Sequence, residues 1–236
     1  MKTVFTLIAI LLCLSVSSQQ NKAGTLDSSF GVNGKVITSS ELGYLDITAA
    51  TQRSDGSIIV AGDESSLDGF SGMLAMKYSA DGLLDSSFGN HGLAVVYGTG
   101  YGEAVAVQPD NKVVIAGYNT DFFGPYYINV ARLNANGSID SSFASIGFIR
   151  SLASDFGRAI AIQADGKILI TGDHRGDATT LRYLPNGTPD KSFGSNGVVE
   201  TQFGSGISSG ETILIQPDNK IVIAGRTSEE LLLRQV

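Results

Sequence analysis

Tryptophan is absent from this 236-residue chain, and cysteine occurs once, as Cys13. A lone thiol allows neither an intramolecular disulfide nor a thiolate metal site. Proline is scarce, at five residues. No run of five Lys or Arg occurs anywhere, and the formal net charge is −7. Nucleic-acid binding through a basic patch is therefore not expected, because nothing would track the phosphates. Beyond residue 18 no apolar run approaches the length of a membrane span. Nor does any stretch longer than a few residues place apolar side chains at a helical period.

What is present points to strands. Hydrophobic residues make up 42% and charged residues 17%, the balance of a globular chain. Twenty-nine glycines among many Val, Ile and Ser suggest short strands joined by tight turns.

The first 18 residues stand apart. Lys2 precedes the apolar run VFTLIAILLCLSV (4–16), which is followed by Ser17, Ser18 and the polar Gln19. This is the layout of a secretory signal peptide, too short for a membrane span. Cleavage is expected after Ser18, leaving a mature chain of charge −8 with no cysteine. Leu12 before Cys13 disfavours a lipoprotein anchor, where a small residue is wanted. The expected location is secreted, or the cell surface or periplasm.

Two phrases recur in step. DGSIIVAG (55–62), DNKVVIAG (110–117), DGKILITG (165–172) and DNKIVIAG (218–225) begin 55, 55 and 53 residues apart. LDSSFGVNG (26–34), LDSSFGNHG (84–92), IDSSFASIG (139–147) and PDKSFGSNG (189–197) bring Phe30, Phe88, Phe143 and Phe193. The repeat is thus about 55 residues, with units at about 24–81, 82–136, 137–186 and 187–236, the last slightly incomplete. Each unit reads as four strands. One follows the Phe phrase (34–38, 197–201), and one is small and apolar (103–108, 158–163). A third follows the Asp-Gly or Asp-Asn turn and is apolar on both faces. A fourth alternates apolar and polar (73–79, 128–134), as a more exposed strand should. Four strands per repeat describe an all-β, β-propeller-like array of four antiparallel blades, closed as a small ring or forming part of a larger propeller. The second arrangement is preferred. Further blades would then come from a C-terminal segment outside this chain or from oligomerisation.

LDSSFG (84–89) followed by QPDNKVVIAG (108–117) resembles the delta-60 repeat of secreted bacterial proteins. The resemblance spans residues 24–236. It implies a propeller-like domain, usually exported and usually part of a longer polypeptide. The family's activity is largely unassigned, so no catalytic residue is carried over.

Few residues invite chemistry. Asp27, Asp85, Asp140 and Asp190 of the Phe phrase are better read as turn-forming carboxylates than as metal ligands, with the Phe plugging the core. GISSG (206–210) matches the nucleophile pattern Gly-x-Ser-x-Gly at Ser208. It lacks the strand–turn–helix context, and only His91 and His174 are available as a base. Asp173, Asp177 and Glu64 lack the spacing of a calcium loop. The Asn136-Gly-Ser138 and Asn186-Gly-Thr188 acceptors coincide with turns the repeat needs. No metal and no cofactor are expected.

Two features remain. Glu103, Arg158 and Glu211 share one repeat position, seven before the repeat Asp, where the first unit has Thr48. Equivalent positions on blades form a ring, so these residues are candidates for an axial mouth. The segment YNTDFFGPYYIN (118–129) carries Tyr118, Phe122, Phe123, Tyr126 and Tyr127, suited to stacking on a sugar or gripping a protein. The expected function is a non-enzymatic exported scaffold or recognition module, binding a protein or glycan through loops on one face. One alternative is a polysaccharide-acting enzyme with axial carboxylates such as Glu103 and Glu211. Another is a spacer or display segment of a longer surface protein.

Overall fold

The computed structural model describes residues 23–39, 44–65, 71–120, 125–202, 206–228 and 231–235. Residues 1–18, expected as a signal peptide, lie outside them. The described chain is almost entirely β, with one short 3-10 turn at Phe143–Ser145. It forms four antiparallel sheets of consecutive strands. Sheet 1 is β1 (Tyr44–Gln52), β2 (Ile58–Ser65), β3 (Ser71–Tyr78) and β4 (Leu93–Tyr97). Sheet 2 is β5 (Tyr101–Val107), β6 (Val113–Thr120), β7 (Tyr126–Leu133) and β8 (Phe148–Ser151). Sheet 3 is β9 (Phe156–Ile162), β10 (Ile168–His174), β11 (Asp177–Tyr183) and β12 (Val198–Thr201). Sheet 4 contains β13 (Ser208–Ile215), β14 (Ile221–Thr227) and β15 (Leu231–Gln235). The first strands neighbour one another, β1 beside β5, β5 beside β9 and β9 beside β13, so they mark the axis of a propeller-like array.

The repeat Asp makes the hairpin between first and second strands. Its carboxylate accepts the amide two residues on: Ser57 N at 2.9 Å, Lys112 N at 3.2 Å, Lys167 N at 3.2 Å and Lys220 N at 3.3 Å. The next residue takes a left-handed conformation, as Gly56 (φ 82°), Asn111 (67°), Gly166 (82°) and Asn219 (65°). Only Gly and Asn adopt it cheaply.

The apolar second strand is buried on both faces where sheets flank it. Val113 and Ile115 point toward sheet 1, while Val114 and Ala116 point toward sheet 3. Ile168 and Ile170 face sheet 2, and Leu169 faces sheet 4. Burying a Val or Ile side chain contributes about 1.5–3 kcal/mol.

The strand grouping differs from the sequence reading in one respect. The strand after each Phe phrase pairs backward, as β4 on β3, β8 on β7 and β12 on β11. Sequence repeat and sheet are therefore offset by one strand. The MLAMKYS and INVARLN strands (β3, β7) are consequently third rather than outermost, and they are buried. Their alternation misleads because its polar positions, Lys77 and Arg132, reach the Phe phrase instead of solvent, as does Arg182 of the equivalent β11. Lys77 Nζ meets Asp85 at 2.9 Å, Arg132 Nε meets Asp140 at 2.8 Å and Arg182 Nε meets Asp190 at 2.9 Å.

The Phe phrase is the joint between sheets. Each Asp also accepts the amide two residues on, Ser87 N at 3.0 Å, Ser142 N at 3.1 Å and Ser192 N at 3.0 Å. The phenylalanine then enters the junction: Phe88 between sheets 1 and 2, Phe143 between 2 and 3, Phe193 between 3 and 4. The following amide reaches the closing turn of the next sheet, Gly89 N to Asn136 O at 2.8 Å and Ala144 N to Asn186 O at 2.9 Å. His91 occupies a left-handed turn position (φ 53°) shared with Asn33 (54°) and Asn196 (55°), which accounts for its place without chemistry.

Candidate ligand-binding mouth

Each first strand carries a β-bulge at the same point. Pairing slips between Ile47 and Ala49, between Gly102 and Ala104, and between Gly210 and Thr212, and β9 slips opposite Thr171 and Gly172. The extra residues are Thr48, Glu103, Glu211 and Arg158. A bulge bends the strand and re-aims its extra side chain. The last glycine of the repeated phrase makes room for it. A Cβ on Gly62, Gly117, Gly172 or Gly225 would stand 1.9, 2.0, 1.9 or 1.9 Å from the carbonyl oxygens of Asp46, Tyr101, Phe156 and Ser209. The phrase ends in glycine for that reason.

The structure thus brings Glu103, Arg158 and Glu211 to equivalent places on adjoining first strands. Arg158 Nε donates to Asp173 Oδ1 at 2.9 Å and lies 3.8 Å from Glu211 Oε1. Arg226 Nε stands 3.1 Å from the same Glu211 oxygen. Ser209 Oγ donates to Asp173 Oδ1 at 3.1 Å. Thr48 Oγ1 donates to Gly102 O at 2.6 Å, linking the first strands of sheets 1 and 2.

On the sheet 1 side the charges are not matched. Asp46 and Asp63 are cross-strand partners, and Glu103 interacts electrostatically with both Asp46 and Asp63. Among the described residues no hydrogen bond or ion pair engages these three carboxylates. Asp63 is only 8% exposed. Burial first, and then the charges of Asp46 and Glu103, push its pKa from 3.8 up to about 6. Burial also raises Glu103; Arg158 opposes the shift, while Asp46 and Glu211 add to it.

Aromatic rings adjoin these carboxylates. Tyr101 stacks on Tyr118 with centroids 5.1 Å apart. Phe156 meets Tyr118 edge-on at 4.8 Å and Tyr126 at 4.8 Å, and Tyr118 and Tyr126 lie 6.0 Å apart. Burial raises the pKa of Tyr118, and the charges of Glu103 and Asp63 add to that, which places the rings within the field of the carboxylates. Arg158 lies 5.1 Å from the Phe156 centroid and joins the two groups.

Tyr118 and Tyr126 of the aromatic segment therefore enter this cluster. Tyr127 does not: it sits on the opposite face of β7, 3% exposed, with the Arg150 guanidinium 3.7 Å above its ring. Phe122 and Phe123 lie outside the described residues. Ser208 is fully buried at the start of β13, and no helix follows it, so the Gly-x-Ser-x-Gly match has no nucleophile elbow. Sequence reasoning passed over Asp46, Asp63, Tyr101 and Phe156. Asp63 and Tyr118 share one signal, the position directly after the phrase's final glycine; Asp46, Tyr101 and Phe156 sit two residues before the bulge.

Asp63 carries a prediction. A carboxyl whose folded pKa is raised favours folding below the unfolded value near 4, and that contribution is lost as pH rises through about 6. Asp63→Asn is therefore expected to raise the melting temperature at pH 8 and leave it nearly unchanged at pH 4. A lower melting temperature at pH 8 would show that the ionised carboxylate is satisfied.

The fold and this mouth define a propeller-like repeat protein. The family model described as a domain of unknown function (DUF5122) beta-propeller matches residues 53–88, 108–143 and 163–193. Each matched segment runs from the hairpin before a second strand to the junction phenylalanine, and the match supports a propeller-like repeat family. No curated protein matches the chain. Among solved structures it is similar to an engineered GH43 glycoside hydrolase displaying endo-xylanase and exo-arabinofuranosidase activity, at 11% identity and TM-score 0.44. That likeness covers 80% of this chain and 37% of the hydrolase, so the chain spans just over a third of that structure. A streptogramin B lyase follows at 10% identity and TM-score 0.38, covering 80% of this chain and 68% of the lyase. An inactive virginiamycin B lyase from Staphylococcus aureus with quinupristin has 9% identity and TM-score 0.35, covering 85% and 71%. Among the described residues no helix is long and apolar enough to cross a membrane.

Proposed function

We propose that this chain is an exported recognition module that binds a glycan at the axial mouth. Export rests on the leader-like composition of residues 1–18. The observation that carries the binding reading is the cluster of Tyr101, Tyr118, Tyr126 and Phe156 beside three carboxylates, Asp46, Asp63 and Glu103, that make no hydrogen bond or ion pair among the described residues. Aromatic faces take the C–H face of a pyranose, and carboxylates accept pairs of sugar hydroxyls. Tyr126, 46% exposed, is the outermost ring and meets the ligand first. Tyr126→Ala is expected to weaken retention on a binding glycan about tenfold, since an aromatic contact contributes about 0.5–1.5 kcal/mol beyond its area. Glycan-array screening followed by calorimetric titration measures this. Unchanged affinity in Tyr126→Ala and Tyr118→Ala together would overturn the reading.

One observation favours a second reading. Asp63, near pKa 6, beside Glu103 has the form of a proton donor next to a second carboxylate, as glycoside hydrolysis requires. On that reading Asp63→Asn and Glu103→Gln each abolish hydrolysis of the bound glycan. An intact glycan after prolonged incubation with the unsubstituted chain would leave binding alone.

A further inference from the structure

The charges of the mouth balance on one side and not on the other. Toward sheets 3 and 4, two guanidiniums meet two carboxylates. Arg158 takes Asp173 at 2.9 Å and lies 3.8 Å from Glu211, and Arg226 takes Glu211 at 3.1 Å. Toward sheet 1, Asp46, Asp63 and Glu103 repel one another with no ion pair among the described residues. Arg158 attracts Glu103 only from a distance, since its Nε is committed to Asp173.

Donors are lacking there as well as positive charge. Asn129 is fully buried and pairs with Gly117, the residue before Tyr118. Its Nδ2 donates to Thr99 O at 2.8 Å, and Thr99 Oγ1 accepts Met73 N at 3.0 Å. Met73 is the cross-strand partner of Asp63, so these bonds run from Asn129 to the strand position opposite Asp63. Asn129 Oδ1 has no partner. Asp63 has none among the described residues and is 8% exposed, and a buried carboxylate is tolerated when it is paired. The four unanswered groups, Asp46, Asp63, Glu103 and the Asn129 carbonyl, are all acceptors. A neutral sugar hydroxyl offers one donor and no charge, whereas an ammonium offers three donors and a full positive charge.

Resting on the glycan reading above, we infer that the mouth selects glycans that carry free amino groups, the ammonium of an amino sugar seated among Asp46, Asp63 and Glu103 and its pyranose ring against Tyr118 and Tyr126. The rings suit a cation, because the faces of Tyr and Phe attract positive charge. Arg158, 5.1 Å from the Phe156 centroid, already holds one cation against this cluster. Asp46 and Tyr126 are exposed, so solvent reaches both the acidic and the aromatic part. The raised pKa of Asp63 measures the cost of its unmatched charge, which a bound ammonium offsets. The formal net charge of −7 draws a polycation toward the chain before contact.

Calorimetric titration compares a linear glucosamine tetramer with its N-acetylated counterpart, in slightly acidic buffer where the free amines are protonated. Acetylation removes the charge and keeps the rings and hydroxyls. The free-amine tetramer should bind about tenfold more tightly or better, since hydrogen bonds to charged groups contribute more than neutral ones. Asp46→Asn, at an exposed site, and Glu103→Gln should each reduce that preference. Asp63→Asn combined with Glu103→Gln should bring the two ligands to within about twofold of each other. Equal affinity for both tetramers, or tighter binding of the acetylated one, overturns the inference and leaves the glycan reading standing. A preference that survives in the double variant overturns it too, because the attraction then comes from the net charge of the whole chain. Binding of neither tetramer overturns it as well. The glycan array then separates the two readings: another glycan held at the rings keeps the first, and a silent array removes both.

Discussion

Phe143→Ala is expected to destabilise the protein by about 3–5 kcal/mol, because a fully buried ring is deleted from a junction that cannot collapse around the gap. The ring is 0% exposed and packs among Val114, Val130, Ile168 and Ile170 from two sheets, with the Arg132 guanidinium 4.4 Å from its centroid. A loss of this size is a large share of the roughly 5–15 kcal/mol that holds a typical domain folded. Urea unfolding measures it as a fall in midpoint with the slope preserved. Phe30→Ala, in the first phrase, should cost much less, since Phe30 is only half-buried. Equal losses at both positions would mean that the phrase stabilises through its own turn and not through the sheets it joins.

The second large effect is expected from Arg132→Met. Its Nε lies 2.8 Å from Asp140 Oδ2, with the two side chains 6% and 7% exposed. The guanidinium also donates to Gln108 Oε1 and to Pro185 O, tying sheet 2 to the turn of sheet 3. Removing one partner of a buried pair leaves an uncompensated charge and costs about 3 kcal/mol or more. Lys112 Nζ, 3.2 Å from Asp140, offsets part of it. Burial works against the ionised Asp140, but Ser142, Lys112 and Arg132 outweigh it and hold the pKa at about 2. A depressed carboxylate contributes stability above its unfolded pKa, and that is lost as pH falls through about 2. The gap between Arg132→Met and the unsubstituted protein should therefore narrow below pH 4. Adding Asp140→Asn to Arg132→Met should recover stability at pH 7. Melting curves across this range test both statements, and a gap that widens in acid would contradict them.

The hairpins and the repeat were legible because DNKVVIAG and its relatives state a turn and a doubly buried strand in eight residues. The phase of the sheets was not. A covalent repeat fixes the order of strands, whereas which neighbour the strand at 93–97 pairs with is settled by packing around Phe88. Glu103, Arg158 and Glu211 were legible as a set because the bulge imposes one position on all four units. Asp63, Tyr101 and Phe156 escaped for the opposite reason. Comparing repeats draws attention to what stays the same, and the candidate site is built from positions where each sheet carries a different side chain. Asp46, Tyr101, Phe156 and Ser209 are equivalent in space, yet one is a carboxylate, two are aromatic and one is a hydroxyl.

The central claim is that ligands bind at the aromatic and acidic mouth. The most direct measurement is NMR titration of residues 19–236, labelled on their tyrosine and phenylalanine rings, with a glycan selected from an array. The account predicts saturable shifts confined to Tyr101, Tyr118, Tyr126 and Phe156, with Phe88, Phe143 and Tyr127 unmoved. Shifts at the junction rings or at Tyr127, with the mouth silent, would contradict it.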